Sequence, residues 1–445
     1  MAQIHADFAL TEGKIRPLHG VNQGPMTKVF TYDARPLFKE AAIPFARLHD
    51  TEYPYGSGEF VDIPCIFRNF DADENLAESY NFGLTDEYIA KILEVGCQPL
   101  FRLGVSIEHA PVKRHIYPPK DFDKWARICE HIIRHYNEGW ADGHHWNLRY
   151  WEIWNEPESP SMWLGTREEF FRLYLITARH LKACFPDLMI GGCGFTTSRN
   201  SFVEQFLDYI SKEEERVPLD FFSWHGYFTS IDILRERWGF AKELLEKYGY
   251  SDAVNIFDEW NYVRSWNDQP QSYIRLKSEI GASFCAAVLC TMQQETGIWA
   301  GAYFEADVIK EWCGIFEVTE MRIGKVPATL GPLKPFYAFR TFGSLYRLGG
   351  AVRVESDDPC VYACAASGED GKMGMLLSVY EDSDEAEERE ISFTLDGIRA
   401  KTVEVRCTNR ERSDECVMKL SPSADGSLHF AMKLSNHTVL ELRGE

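Results

Sequence analysis

The 445 residues of this chain are about three times a typical single domain, so a lone small fold is excluded and one large domain with a smaller companion is expected. Hydrophobic residues at 45% and charged residues at 26% describe a globular chain with a large core, not a disordered or collagen-like one. With 47 Lys plus Arg against 68 Asp plus Glu, the formal charge of −21 opposes a phosphate backbone. No nucleic-acid partner is therefore expected, a strongly anionic polymer is weakly disfavoured, and a neutral ligand fits better.

The opening "MAQIHADFAL" has neither a charged n-region nor an apolar h-region, and no window reaches the roughly 18 apolar residues of a membrane span. The expectation is a soluble, cytoplasmic chain with no signal peptide and no membrane partner. From residue 17 to 340, β-prone runs alternate with helical periodicity, as in repeated βα units. The runs are "PLHGVN" (17–22), "PFARLHD" (44–50), "QPLFRLG" (98–104), "LRYWEIWNE" (148–156), "LMIGGCG" (188–194), "LDFFSWHGY" (219–227), "AVNIFDEW" (253–260) and "WAGAYFEA" (299–306). Between them, three-and-four spacing marks helices carrying Phe122, Trp125, Cys129 and Ile132, then Phe170, Tyr174 and Leu181, then Leu234, Trp238 and Leu245. Eight strands separated by helices predict a closed (β/α)8 TIM barrel, and without a GxGxxG after the first strand a dinucleotide fold loses its main support.

After about residue 345, short alternating runs such as "CVYACAAS", "GMLLSVY" and "HTVLELRG" predict an antiparallel β-sandwich. The division is a barrel over 10–343 and a sandwich over 344–445, and the β-prone start, residues 1–9, is a candidate extra strand of the sandwich. The acidic "EDSDEAEERE" at 381–390 reads as a solvated turn. The twelve cysteines are scattered through apolar stretches and read as free thiols. Neither the pairs Cys285/Cys290 and Cys360/Cys364 nor the "HIIRH" of His131 and His135, read as a solvated helix face, has the pattern of a zinc site. No metal and no cofactor are expected.

In such a barrel the βα loops at the C-terminal strand ends build the site. Those ends carry Arg47, His49 and Asp50 on strand two, Asn155 and Glu156 on strand four, His225 and Tyr227 on strand six, Asp258, Glu259 and Asn261 on strand seven, and Glu305 and Asp307 on strand eight. Strands four and seven face each other across the mouth. Opposed Glu156 and Glu259 are thus the carboxylate pair that glycoside hydrolysis needs, one protonating the leaving oxygen and one acting at the anomeric carbon.

The Asn155-Glu156-Pro157 triplet with a Glu ending strand seven resembles clan A of the glycoside hydrolases. "FARLHD", "WEIWNEPE", "FFSWHGY", "FDEWN" and "LGPLKPFYAFRTFGSLYRLG" resemble most closely glycoside hydrolase family 39, the β-xylosidase and α-L-iduronidase family, over essentially the whole chain. The resemblance implies a retaining mechanism with Glu156 as acid/base and Glu259 as nucleophile. On general grounds, the field of ionised Glu259 favours the protonated form of Glu156 until the sugar esterifies Glu259. Asn155 resembles the clan residue that binds the sugar 2-hydroxyl. His225 and Tyr227, with Arg47, are candidates to orient Glu259, whereas His49 and Asp50 are candidates for sugar hydroxyls and Glu305 and Asp307 for further ones.

Sugar faces stack on aromatic rings, for which Trp260 is the first choice beside Tyr53, Tyr55, Trp163, Trp266 and Trp312. The long segment after strand two favours a pocket and exo action on a small neutral oligosaccharide or glycoside. A β-xylosidase is the leading reading; arabinosidase, galactosidase or iduronidase specificity, or a catalytically silent carbohydrate-binding barrel, stay open, as does a homo-oligomer. A uronate substrate turns on whether Arg264 or Lys310 reaches the pocket.

Overall fold

The structure, a computed structural model, describes residues 2–25, 27–28, 32–51, 60–306, 312–320, 329–385 and 388–445. All eight expected barrel strands form: Gly20–Asn22, Phe45–Leu48, Gln98–Leu103, Tyr150–Ile153, Met189–Phe195, Phe221–Phe228, Val254–Tyr262 and Ala300–Tyr303. Each pairs in parallel with the next, and Ala302 opposite Gly20 closes the ring. The helices follow local signals. Asp121 caps Phe122–Asn137 by accepting from the Lys124 amide, and Thr166 and Glu169 form a reciprocal capping box on Arg167–Cys184. Among the described residues no helix is long and apolar enough to cross a membrane.

Period-two alternation layers the barrel interior. At the strand starts Phe45, Leu100, Tyr150, Phe221, Ile256 and Ala300 pack into one apolar cluster. Two residues further along the same inward faces come Arg47, Arg102, Glu152, Ser223 and Asp258, all fully buried. An interior that begins as an ordinary apolar plug thus turns polar toward the C-terminal ends, where the chemistry is expected.

The C-terminal residues form two sheets around a second core that includes Met375, Leu377, Phe393, Val405 and Leu442. Ala2–Asp7 joins the four-stranded sheet, parallel to Glu388–Asp396 and antiparallel to Val354–Ser356. The six-stranded sheet lies on helices Glu279–Glu295 and Lys334–Leu348, which also cover the barrel. Phe284 packs on the barrel's Trp260, while Cys290 meets Cys364 of the sheet. A helix covered on both sides has no polar face, and the run Gly281–Met292 is buried throughout. Among the described residues the cysteines form no disulfide.

Of two expectations about solvated positions, one is sharpened and one corrected. The turn at 381–385 exposes Glu381, Asp384 and Glu385 as expected, yet it is also docked: Asp382 accepts from the Tyr262 hydroxyl at 2.8 Å and from Arg264, and Asp384 pairs with Arg264 and Arg275. Cations on the loop after strand seven supply the attraction that composition alone did not reveal. His135 is 2% exposed and stacks on Phe82 at 3.6 Å, because its helix face turns inward there.

Candidate active site

Arg47 lies at the centre of the polar layer. Its Nε donates to Glu152 Oε2 at 2.8 Å and lies 3.0 Å from Asp258 Oδ2. Nη1 donates to Asn22 Oδ1 and to Glu259 Oε2, each at 3.1 Å, and Nη2 to Asn155 Oδ1 at 2.6 Å. Burial by itself would weaken the guanidinium's hold on its proton, but the charges of Glu152, Asp258 and Glu259 raise its pKa.

Glu259 is fixed from two sides. The Tyr227 hydroxyl donates to Oε1 at 2.5 Å and Arg47 to Oε2. Burial and the nearby Glu156 raise its pKa, opposed by His225, Arg47 and the Tyr227 hydrogen bond. Glu156 bonds through Oε1 to His225 Nδ1 at 2.8 Å. The Nε2 of that ring faces Asp258 and Glu259, each at 3.7 Å. Against the cost of burial, those two carboxylates push the imidazole pKa well above its ordinary value. One ligand atom from each of Glu156, His225 and Glu259 lies within 4.8 Å of the others.

Three backbone departures make this crowding feasible. Glu156 sits at φ 42°, a left-handed conformation uncommon for a side chain of its size. Gly194, at φ +54°, accepts from the Glu156 amide, and a Cβ there would stand 2.7 Å from Arg47 Nη2 and 3.0 Å from His225 Nε2. In strand seven the register slips between Phe257 and Glu259, so Asp258 is the extra residue of a β-bulge. The bulge lets the consecutive Asp258 and Glu259 both reach the interior.

The same bulge corrects the expectation for Trp260. With the alternation restored after Glu259, the indole points outward, fully buried, and packs on Phe284, Tyr303 and Phe339. It cannot stack on a ligand. Trp163 is likewise buried, edge-on to Trp154 and Phe170. Trp266 and Trp312 approach the site instead: Trp266, half exposed, lies edge-on to Tyr227 with centroids 5.1 Å apart, and Trp312 is 5.9 Å from Trp266. Tyr53, Tyr55, Asp307 and Lys310 lie outside the described residues.

The other expected residues fall around this centre. His49 Nε2 is 3.3 Å from Asp50 Oδ1, which also accepts from the Ile107 amide at 3.1 Å. Glu305 is fully buried, and Gln23 Nε2 donates to its Oε2 at 2.5 Å and to the Asp50 carbonyl at 3.0 Å. Asn155 spends its oxygen on Arg47, which leaves its Nδ2 as the group to offer a ligand.

Sequence reasoning missed Glu152, Gln23 and Asn22 altogether and gave Asp258 no role. Burial raises the Glu152 carboxyl pKa, while Arg47 and His225 hold Asp258 low in spite of burial. The only local signal was acidity inside apolar runs. Because Arg47 compensates several buried acids, Arg47→Met is expected to lower stability by about 3–5 kcal/mol, read from the urea midpoint; a loss under about 1 kcal/mol would mean the acids are paired without it.

Comparison with known proteins bears on this arrangement. A β-xylosidase of Geobacillus stearothermophilus is 29% identical over 186 residues, and one of Caldicellulosiruptor saccharolyticus is 31% identical over 227 residues. These matches take in 39% and 47% of this chain and only 36% and 44% of the relatives, so the chain spans less than half the length of the curated relatives it matches. A crystal structure of a glucosidase from Croceicoccus marinus superposes with a TM-score of 0.79 at 20% identity, covering 100% of this chain and 98% of that one, a likeness of fold. The model of "Glycosyl hydrolases family 39" matches residues 40–285, a stretch that runs from before strand two to beyond strand seven and includes Glu156 and Glu259. More than half of the chain is matched, and the chain belongs to glycosyl hydrolase family 39.

Proposed function

We propose that this chain is a retaining, exo-acting glycoside hydrolase for short neutral glycosides, with β-D-xylosides as the first substrate class. The observation that carries the reading is the pair of carboxyl groups from strands four and seven, whose nearest oxygens are within 4.8 Å. Retaining enzymes hold their two carboxyls about 5–5.5 Å apart, whereas inverting ones leave roughly 6.5–9.5 Å for a water.

Glu259, oriented by Tyr227 and Arg47, attacks the anomeric carbon. The bond from that carbon to the leaving oxygen breaks, and Glu156 delivers its proton to that oxygen. In the second step Glu156 takes a proton from water, whose oxygen attacks the same carbon and releases Glu259 as a carboxylate. His225 bridges the pair, bonding Glu156 through Nδ1 and facing Glu259 through Nε2. The Asn155 amide is suited to the sugar 2-hydroxyl, and Trp266 with Trp312 offers the stacking face first sought at Trp260.

Two further points favour a neutral sugar of xyloside type. Arg264 is engaged by Asp382 and Asp384 and so is no ready partner for a uronate carboxylate. Two relatives carry the name β-xylosidase.

Glu259→Ala is expected to abolish hydrolysis of an aryl β-xyloside, with azide restoring turnover to a glycosyl azide of inverted configuration; failure of any external nucleophile to rescue counts against Glu259 as nucleophile. Glu156→Ala should lose about 100–10,000-fold in kcat/KM on a poor leaving group and far less on an activated aryl glycoside. Equal losses on both would remove its acid role. The Tyr227 hydrogen bond lowers the Glu259 pKa, so Tyr227→Phe should raise it and move the acid limb of the kcat/KM profile to higher pH. A limb that stays put or moves to lower pH would refute that role.

A further inference from the structure

On the outer helix layer, the helix Gly83–Glu94, the end of the helix Phe122–Asn137 and the turn after it bring one carboxylate and two imidazoles together. None of these groups belongs to the site described above. His135 Nδ1 lies 2.9 Å from the Trp140 carbonyl oxygen, which can only accept, so Nδ1 carries the ring proton. In the neutral ring Nε2 is then a lone pair, and it faces Asp86 Oδ1 at 3.0 Å. Two lone pairs so close require a cation between them.

A proton could fill that gap, but it would leave a neighbouring imidazole nitrogen unsatisfied. His144 Nε2 is buried, makes no hydrogen bond within the protein and stands 3.6 Å from Asp86 Oδ2. The Tyr136 hydroxyl is fully buried beside the Asp86 carboxylate and Thr85. A metal held tetrahedrally, with N and O ligands at about 2.0–2.2 Å, sets neighbouring ligand atoms roughly 3.4 Å apart. The two imidazoles approach the Asp86 carboxylate at comparable separations, His135 at 3.0 Å from Oδ1 and His144 at 3.6 Å from Oδ2, and one ligand atom from each of the three residues lies within 4.8 Å of the others.

The support around the ligands is rigid. The His144 amide donates to the His135 carbonyl at 2.6 Å and the Trp146 amide to the Tyr136 carbonyl at 2.8 Å, folding the turn onto the helix end. Gly143 allows this approach, since a Cβ there would be 2.2 Å from the His135 carbonyl oxygen. The His144 ring stacks on Trp146 at 3.7 Å and the His135 ring on Phe82 at 3.6 Å. A backbone carbonyl that fixes the tautomer of a buried imidazole, leaving Nε2 as ligand, is a recurrent support of metal-bound histidine.

We propose that Asp86, His135 and His144 form a binding site for one divalent transition-metal ion, zinc by the preference of two imidazoles and a carboxylate. The ion ties the two helices together from outside the catalytic centre.

The test is titration of the purified, chelator-treated full chain with zinc chloride, followed by calorimetry and by the melting temperature. The expected result is one zinc per chain, with a melting temperature that rises with zinc concentration. His144→Ala and Asp86→Asn should each weaken binding at least about tenfold. Circular dichroism without metal checks that both variants are folded, and Asp86→Asn keeps a hydrogen-bonding side chain where His144→Ala does not. His180→Ala, in a second cluster with Glu130 and Cys184, and Glu259→Ala should retain full affinity. Absence of zinc binding by the wild-type chain overturns the proposal, as does binding that survives His144→Ala and Asp86→Asn or is lost with His180→Ala or Glu259→Ala. None of these readouts depends on the sugar that the chain cleaves.

Discussion

A guanidinium taken wholly out of water costs several kcal/mol unless nearly all its donors are matched, and Arg47 is such a group at the heart of the barrel. Its partners arrive from strands one, four and seven, together with the Asn155 amide just beyond strand four. The arrangement is mutual: removing any one acid leaves the others poorly balanced, and removing Arg47 leaves acids facing one another. Charges fixed in this way need little reorganisation when charge moves during a reaction, which is the physical basis of electrostatic preorganisation.

The backbone departures make sense in the same light. A left-handed Glu156, a glycine where Gly194 passes Arg47 and His225, and a bulge at Asp258 all depart from regular barrel geometry within one region. Each costs something locally, and the buried ionic network over-determines them. Regular strand geometry elsewhere supplies the rigid frame.

Legibility from sequence followed the range of the signals. The eight strands were readable because their alternation and flanking helices are local, and Glu156 and Glu259 because strand-end carboxylates stand out against apolar runs. Trp260 was misread because a one-residue bulge reverses the facing of everything after it, and nothing in "FDEWN" announces the bulge. Glu152 and Gln23 escaped notice because their meaning lies in partners 105 and 282 positions away. The docked turn at Asp382 depended similarly on Tyr262 and Arg264, 120 and 118 positions back.

The helix Glu279–Glu295 carries a consequence for engineering. Buried on every side along Gly281–Met292, it presents Phe284 to the barrel, while Ser378 of the sheet donates to its Ser283 carbonyl at 2.7 Å. Cutting the chain near residue 345 to obtain a minimal barrel would bare an apolar helix with no charged face to solubilise it. The C-terminal sheets therefore act as the missing wall of the barrel's own core. A trimmed version would need several polar replacements along that helix before it could stay dispersed, and a graft of another module in their place would have to reproduce the sheet surface first.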